Sequence, residues 1–274
     1  MNGVTFEPSD DALVRIQSEI DEIERENDVR VLFAVESGSR AWGFASADSD
    51  YDVRFVYKRH LHDYLRLDSR RETIERTKDP MYDIVGWDVS KFLRLLRASN
   101  PSALEWLDCP RYLVSDAIRV HGIEELSREC LSSKKLAFHY LGMARENANE
   151  FLRISDGEVR HELPKTKKYV YVVRALLSAR YVCDYGDVPP IEFEMLLDEY
   201  RGHLSGRGVL ASVRRLVDGK RAGLERDAHE RVPELDRWVI DEMDDLRGRA
   251  DGLVGKEPPS WDDVNELFIR IATT

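Results

Sequence analysis

The sequence is short of most features that announce a protein's chemistry. Its three cysteines, Cys109, Cys130 and Cys183, are odd in number and far apart. That argues against a disulfide frame or a cysteine-built zinc site and fits thiols kept reduced. No apolar run approaches the roughly 20 residues that span a bilayer, so no membrane partner is expected. The opening stretch MNGVTFEPSDDALVR lacks the apolar core of a signal peptide, and we expect a cytoplasmic protein. No Gly-Lys-Ser/Thr P-loop and no Gly-x-Ser-x-Gly elbow occurs, which removes support for P-loop NTPase and α/β-hydrolase chemistry. Positive charge is scarce as well. The formal net charge of −11 argues against nonspecific adhesion to nucleic acid or anionic lipid, yet leaves room for a local basic groove.

What is present is a change of period along the chain. Residues 9–27 carry Leu13, Ile16, Ile20 and Ile23 at helical spacing. Strands are then expected at 29–36, 51–57, 71–77 and 81–88, with Gly86 in the last as a bulge or a point of close approach. Asp88 is placed to cap a helix beginning VSKFLRLLRAS, and Pro101 to open another. Beyond about residue 115 the alternation fades. Amphipathic runs follow at 116–130, 133–153, 166–184, 190–201, 206–225, 233–250 and 260–272, divided by Gly, Pro and Asp. The expected class is α+β: a small mixed β-sheet domain with flanking helices over 1–115, then an all-helical domain over 116–274. The 274 residues suffice for two such domains.

The stretch FAVESGSRAWGFASADSDYDVRFVY, residues 33–57, raises a chemical question. On a strand, residues two apart share a face, so Asp50 and Asp52 project together. Two adjacent carboxylates are costly unless a cation binds between them or one is protonated. Oxygen-only ligation favours Mg²⁺, which combines a few carboxylates with substrate phosphates. Gly38-Ser39 ends the preceding strand, where glycine lets backbone approach a ligand and the serine hydroxyl and nearby N–H groups suit a phosphate. A helix beginning over residues 40–44 would add favourable potential there. Asp83, set between apolar residues of MYDIVGWD, is the candidate third acid; Asp88 is the alternative, with a competing reading as helix cap. Arg54 lies on the face of Asp52 and suits either a phosphate or an ion pair with these acids, and Arg40 is a second phosphate candidate. In the helical part Lys167, Tyr171, Arg174 and Ser178 recur on one helix face, either a wall for a triphosphate or RNA end or a solvated amphipathic face. His60 and His62 would diverge on a helix, which discounts a metal site there.

A Gly-Ser turn, a spacer, Asp-x-Asp and a later acid resemble the DNA polymerase beta nucleotidyltransferase superfamily, here Gly38, Ser39, Asp50, Asp52 and Asp83. More narrowly, GSRAWGFASADSDYDVR, DIVGWDVSKFLRLLRASNPSALEWL, HYLGMARENANEF and KKYVYVVRALLSARYV resemble the RNA-ligase-associated nucleotidyltransferases, the RlaP group, over residues 33–184. The resemblance implies a small mixed sheet with helices on one side, two Mg²⁺ ions (Mn²⁺ as the alternative), and transfer of a nucleoside monophosphate from an NTP. Asp50, Asp52 and Asp83 would be the metal-holding catalytic acids, and Gly38, Ser39, Arg40, Arg54, Lys167 and Arg174 the nucleotide contacts. No core acid of the pattern is missing, which argues against an inert copy. The expected acceptor is a hydroxyl of an RNA end, as in RNA repair. A protein hydroxyl and a small molecule are alternatives within the class, and a nucleotide- or RNA-binding sensor with little turnover is the alternative outside it.

Overall fold

The computed structural model describes residues 8–68, 70–224 and 229–273. Residues 1–7 of the opening stretch, and residue 225 of the run expected at 206–225, lie outside them. The chain is α+β, with a small mixed five-stranded sheet and a helical C-terminal portion. Contacts divide it into two compact units. Residues 8–41, 49–131 and 257–273 make the sheet unit; Trp42–Asp48 and Ser132–Lys256 make the helical one. A single cut at 115/116 therefore differs from the contacts in placing 42–48, 116–131 and 257–273.

In the sheet unit, helix α1 (Asp10–Asn27) starts where the Ser9 hydroxyl accepts the Ala12 N–H at 3.3 Å, with Asp10 and Asp11 in the first turn. It stops at Asp28, whose φ of 54° is left-handed. Strand β1 (Arg30–Ser37) is followed by one helical turn, α2 (Gly38–Ala41), and by β2 (Tyr51–Lys58). The helix expected over 40–44 is confined to that turn, because Gly43 at φ +80° leaves helical space. After the turn α3 (Leu61–Tyr64) come β3 (Thr73–Arg76), β4 (Tyr82–Asp88), α4 (Val89–Arg97), α5 (Pro101–Asp108), β5 (Arg111–Val114) and α6 (Ala117–Cys130). β5 escaped the sequence reading: four residues between Pro110 and Ser115 are too few to show a period.

The sheet order is β3-β4-β2-β1-β5, antiparallel throughout except for the parallel pair β2/β4. On one face Ile16, Ile20 and Ile23 of α1 join Val31, Ala34, Val53, Phe55 and Ile84 in a continuous core. On the other, Phe33 meets Phe92 of α4 edge-on at 5.8 Å, and Trp87 stacks on Trp106 of α5 at 4.0 Å. Helices thus cover both faces, a correction to the one-sided arrangement that the resemblance implied. His60 and His62 also differ from expectation: His60 precedes α3 as its cap, and the rings lie parallel, 5.9 Å apart.

The helical unit holds α7 (Ser133–Asn147), a π turn (Ala148–Leu152), and the two-residue strands β6 (Ile154–Ser155) and β7 (Glu158–Val159). A 3₁₀ turn (Thr166–Lys168) then leads into α8 (Tyr169–Tyr185), followed by α9 (Phe193–Glu199), α10 (Arg201–Leu204), α11 (Val209–Arg221) and α12 (Pro233–Gly252). Its core is the middle of α8, buried from Val172 through Ala179. The aromatic-glycine run of residues 42–44 packs into this unit. The Trp42 carbonyl accepts the Phe193 N–H at 3.0 Å, and Phe44, fully buried, meets Tyr171 and Phe193 edge-on. Among the described residues no helix is long and apolar enough to cross a membrane.

Gly86 marks a close approach rather than a bulge. It pairs in register with Phe55, whose ring atoms would lie 2.1 Å from an added Cβ. Gly86→Ala should therefore cost about 1–3 kcal/mol, the usual penalty of overpacking. Urea unfolding of Gly86→Ala, and of the same change combined with Phe55→Leu, checks this: the second substitution should return part of the loss.

Candidate active site

The site grows from the register of β2 and β4. Asp52 pairs with Asp83 directly across the parallel ladder, and Val53 with Ile84. Alternation puts Val53 and Ile84 into the α1 core, so Asp52 and Asp83 rise from the opposite face. Like charges opposed on neighbouring strands destabilise a sheet. Arg54 resolves the conflict. One of its terminal nitrogens donates to Asp52 Oδ1 at 2.9 Å and to Asp83 Oδ2 at 2.7 Å. The other donates to the Asp83 and Val53 carbonyls at 2.8 and 3.2 Å. Of the two readings open for Arg54, this geometry is the ion pair.

The Gly38-Ser39 turn lies against the same acid. Gly38 has φ +63°, and an added Cβ would stand 1.9 Å from Asp52 Oδ2. Only glycine satisfies both the backbone angle and the carboxylate's place. Ser39 beside it is buried. Arg40 turns back on the loop that carries Asp50. Its guanidinium donates to the Ser49 carbonyl and, at 3.1 Å, to the Asp50 carbonyl, and lies 3.9 Å over the Tyr51 ring. Tyr51 in turn stacks on Tyr82 at 5.2 Å. Arg40 thus positions the exposed Asp50 immediately before β2.

Asp88 stands at the far end of β4. It caps α4, accepting the Ser90 N–H at 2.9 Å and its hydroxyl at 2.6 Å, and is 2% exposed. Lys167 and Arg174 belong to the helical unit. α8 begins at Tyr169, so Lys167 lies ahead of it, exposed in the 3₁₀ turn. Arg174 is 3% exposed, its guanidinium 4.2 Å over the Trp42 ring, and Ser178 is fully buried. The expected face is interior from Arg174 onward.

Sequence reasoning passed over Glu36. It is fully buried on the α1 side of β1, paired with Val53, and its Oε1 accepts the Asp52 N–H at 3.1 Å while Oε2 accepts the Tyr112 hydroxyl. Burial pushes its carboxyl up to about 7, against the lowering hydrogen bonds from Tyr112 and the Asp52 backbone. Its signal in the sequence was a lone acid closing an apolar strand, two residues before the Gly38-Ser39 turn. Its partner Tyr112 sits on the unforeseen β5.

The small sheet thus carries paired acids beside a Gly-Ser turn. Residues 13–270 match the family described as RlaP, the RNA repair pathway DNA polymerase beta family. The chain is also 32% identical over 256 residues to the uncharacterized protein YcgL of Bacillus subtilis (strain 168), covering 93% of this chain and 95% of that one. The chain belongs to the RlaP family.

The raised Glu36 carboxyl has a pH signature. Its native form keeps a proton that the unfolded chain releases near the ordinary value of 4.5. Stability from this group is therefore complete below about pH 4.5, falls as pH rises toward 7, and is level above. A displacement of this size corresponds to roughly 3 kcal/mol. Denaturant unfolding with divalent cations chelated should show this decline, and Glu36→Gln should flatten it.

Proposed function

We propose that the protein is a Mg²⁺-dependent nucleotidyltransferase that joins a nucleoside monophosphate from an NTP to a hydroxyl of an RNA end. The observation carrying this reading is the in-register pair Asp52 and Asp83, with the Gly38 turn seated on the Asp52 carboxylate. Family membership supports the reaction class and the RNA-repair setting.

Among the described residues no three His, Cys, Asp or Glu side chains converge as a ready metal cage. The donor set nevertheless suits Mg²⁺, a hard cation that takes one or two carboxylates and leaves the rest of its shell to water and phosphate. Asp52 and Asp83 would hold it, with Asp50 at the lip of the strand. When bound, Mg²⁺ would supply Lewis-acid stabilisation of the entering and leaving oxygens. Arg54 now fills the space between the carboxylates, so loading would turn its guanidinium outward, toward the triphosphate. Ser39 and the Gly38 backbone would receive the β and γ phosphates. An Asp83 carboxylate oxygen would take the proton of the acceptor hydroxyl as its oxygen bonds to the α phosphorus. The α–β anhydride bond breaks in the same displacement, and pyrophosphate leaves. Of the helical residues expected at the nucleotide, Lys167 is exposed, and Arg174, buried over Trp42, would act within the helical unit by holding the 42–44 turn.

The test is incubation with each α-labelled NTP, Mg²⁺ and a mixed pool of RNA and protein. Label should move to RNA. Asp52→Asn and Asp83→Ala should each abolish transfer, whereas Asp88→Ala should keep most of it and lose about 1 kcal/mol of stability, as lost caps do. Label on protein alone would move the reading to a protein acceptor. Label on nothing would sink it.

A further inference from the structure

Several cations of this chain are gathered among acids. Arg76 sits among Glu19, Glu22 and Glu26, and Arg180 among Glu242 and Asp245. Around the 3₁₀ turn of the helical unit the pattern fails. Lys165, Lys167 and Lys168 form no ion pair with a carboxylate among the described residues. Lys165 and Lys168 meet aromatic rings instead. The Lys165 and Lys168 ammoniums stand 5.2 and 4.5 Å from the Phe151 ring centre. Lys168 is also 4.6 Å from the ring of Tyr171, and Lys220 of α11 is 5.4 Å from that ring. Lys165, Phe151, Lys168 and Tyr171 thus alternate, cation and ring, across two segments of chain.

A ring face attracts an ammonium without neutralising it. The row therefore holds its cations in place while leaving their charge open to an anion. Their mutual repulsion is felt: burial first, then Lys167 and Lys165, lowers the proton affinity of Lys168, and Glu150 opposes this only in part. In a chain of net charge −11 such a concentration of positive charge is a local attractor for anions.

We propose that this row binds the phosphodiester backbone of a nucleic-acid strand without regard to base. A single phosphate would occupy one or two ammoniums; a row of separated ammoniums suits a row of phosphates. The rings are already covered by their lysines, so base stacking is not the source of affinity. The inference deepens the acceptor side of the proposed function and rests on that reading only for the strand being RNA.

Fluorescence anisotropy with labelled oligo(U) and oligo(A), on the full chain in EDTA without NTP, reads strand binding apart from transfer. The two homopolymers should bind alike, Asp52→Asn should bind as wild type, and ATP should not displace the strand. Lys165→Glu/Lys167→Glu/Lys168→Glu should bind at least about tenfold more weakly, and its logarithmic salt dependence should be shallower by about 2, given ~0.7 per phosphate contact on a single strand. Should that variant fail to fold, Lys165→Gln/Lys167→Gln, at two exposed positions, should show the same trend to a smaller degree. Wild-type affinity and salt slope in the folded variant would overturn the proposal, and so would displacement by ATP, which would give the row to a free triphosphate. Strand binding without label transfer would remove the proposed reaction and leave the row standing.

Discussion

The Arg54 guanidinium stands between the carboxylates of Asp52 and Asp83, and the parallel pairing of β2 with β4 depends on it. Without that cation, two negative groups would face each other across one rung of the ladder. With it, the acids are held together and aimed from one face, while the backbone below stays in unbroken register from Tyr51 to Tyr57. Arg54 is only 17% exposed and also bonds two carbonyls, so it is more than a loose surface partner. The turn on the other side of Asp52 is fixed as firmly, since its glycine has no room for a side chain.

Much of this was legible because the signals were local. The cap Asp88, the helix-opening Pro101 and the close approach at Gly86 each depend on a few neighbouring residues, and each was read from them. Asp52 and Asp83 could be put on strands, but not in register; pairing between positions 31 residues apart leaves no periodic trace. Arg40 was read as a phosphate ligand, while its observed partners are carbonyls nine and ten residues on, which no residue pattern encodes. Glu36 went unseen for a related reason: its role comes from burial and from Tyr112, 76 residues away.

The interleaving of the two units has the same origin. The loop 42–48 leaves the sheet unit because Trp42 and Phe44 find aromatic partners in Tyr171 and Phe193, and Arg221 of α11 holds the Gly43 carbonyl at 2.7 Å. Amphipathic spacing shows that a residue will be buried, not among which neighbours. Helical periodicity likewise marked 260–272 as a helix without saying that it belongs to the sheet unit.

That last helix, Trp261–Ala272, has a consequence for how the protein is made. Arg97 donates to the Pro259 carbonyl at 2.9 Å and lies over the Trp261 ring; Lys58 donates to the Ile271 carbonyl; Phe268 meets Tyr64 edge-on at 5.0 Å. A ribosome delivers these residues only after the whole helical unit has emerged. Until then the strands bearing the acids lack part of their cover, so the sheet unit cannot reach its final packing vectorially, one unit at a time. Nascent chains paused before residue 257 would accordingly present apolar surface around α4 and α6 to chaperones, while the helices from α7 to α12 could already have settled.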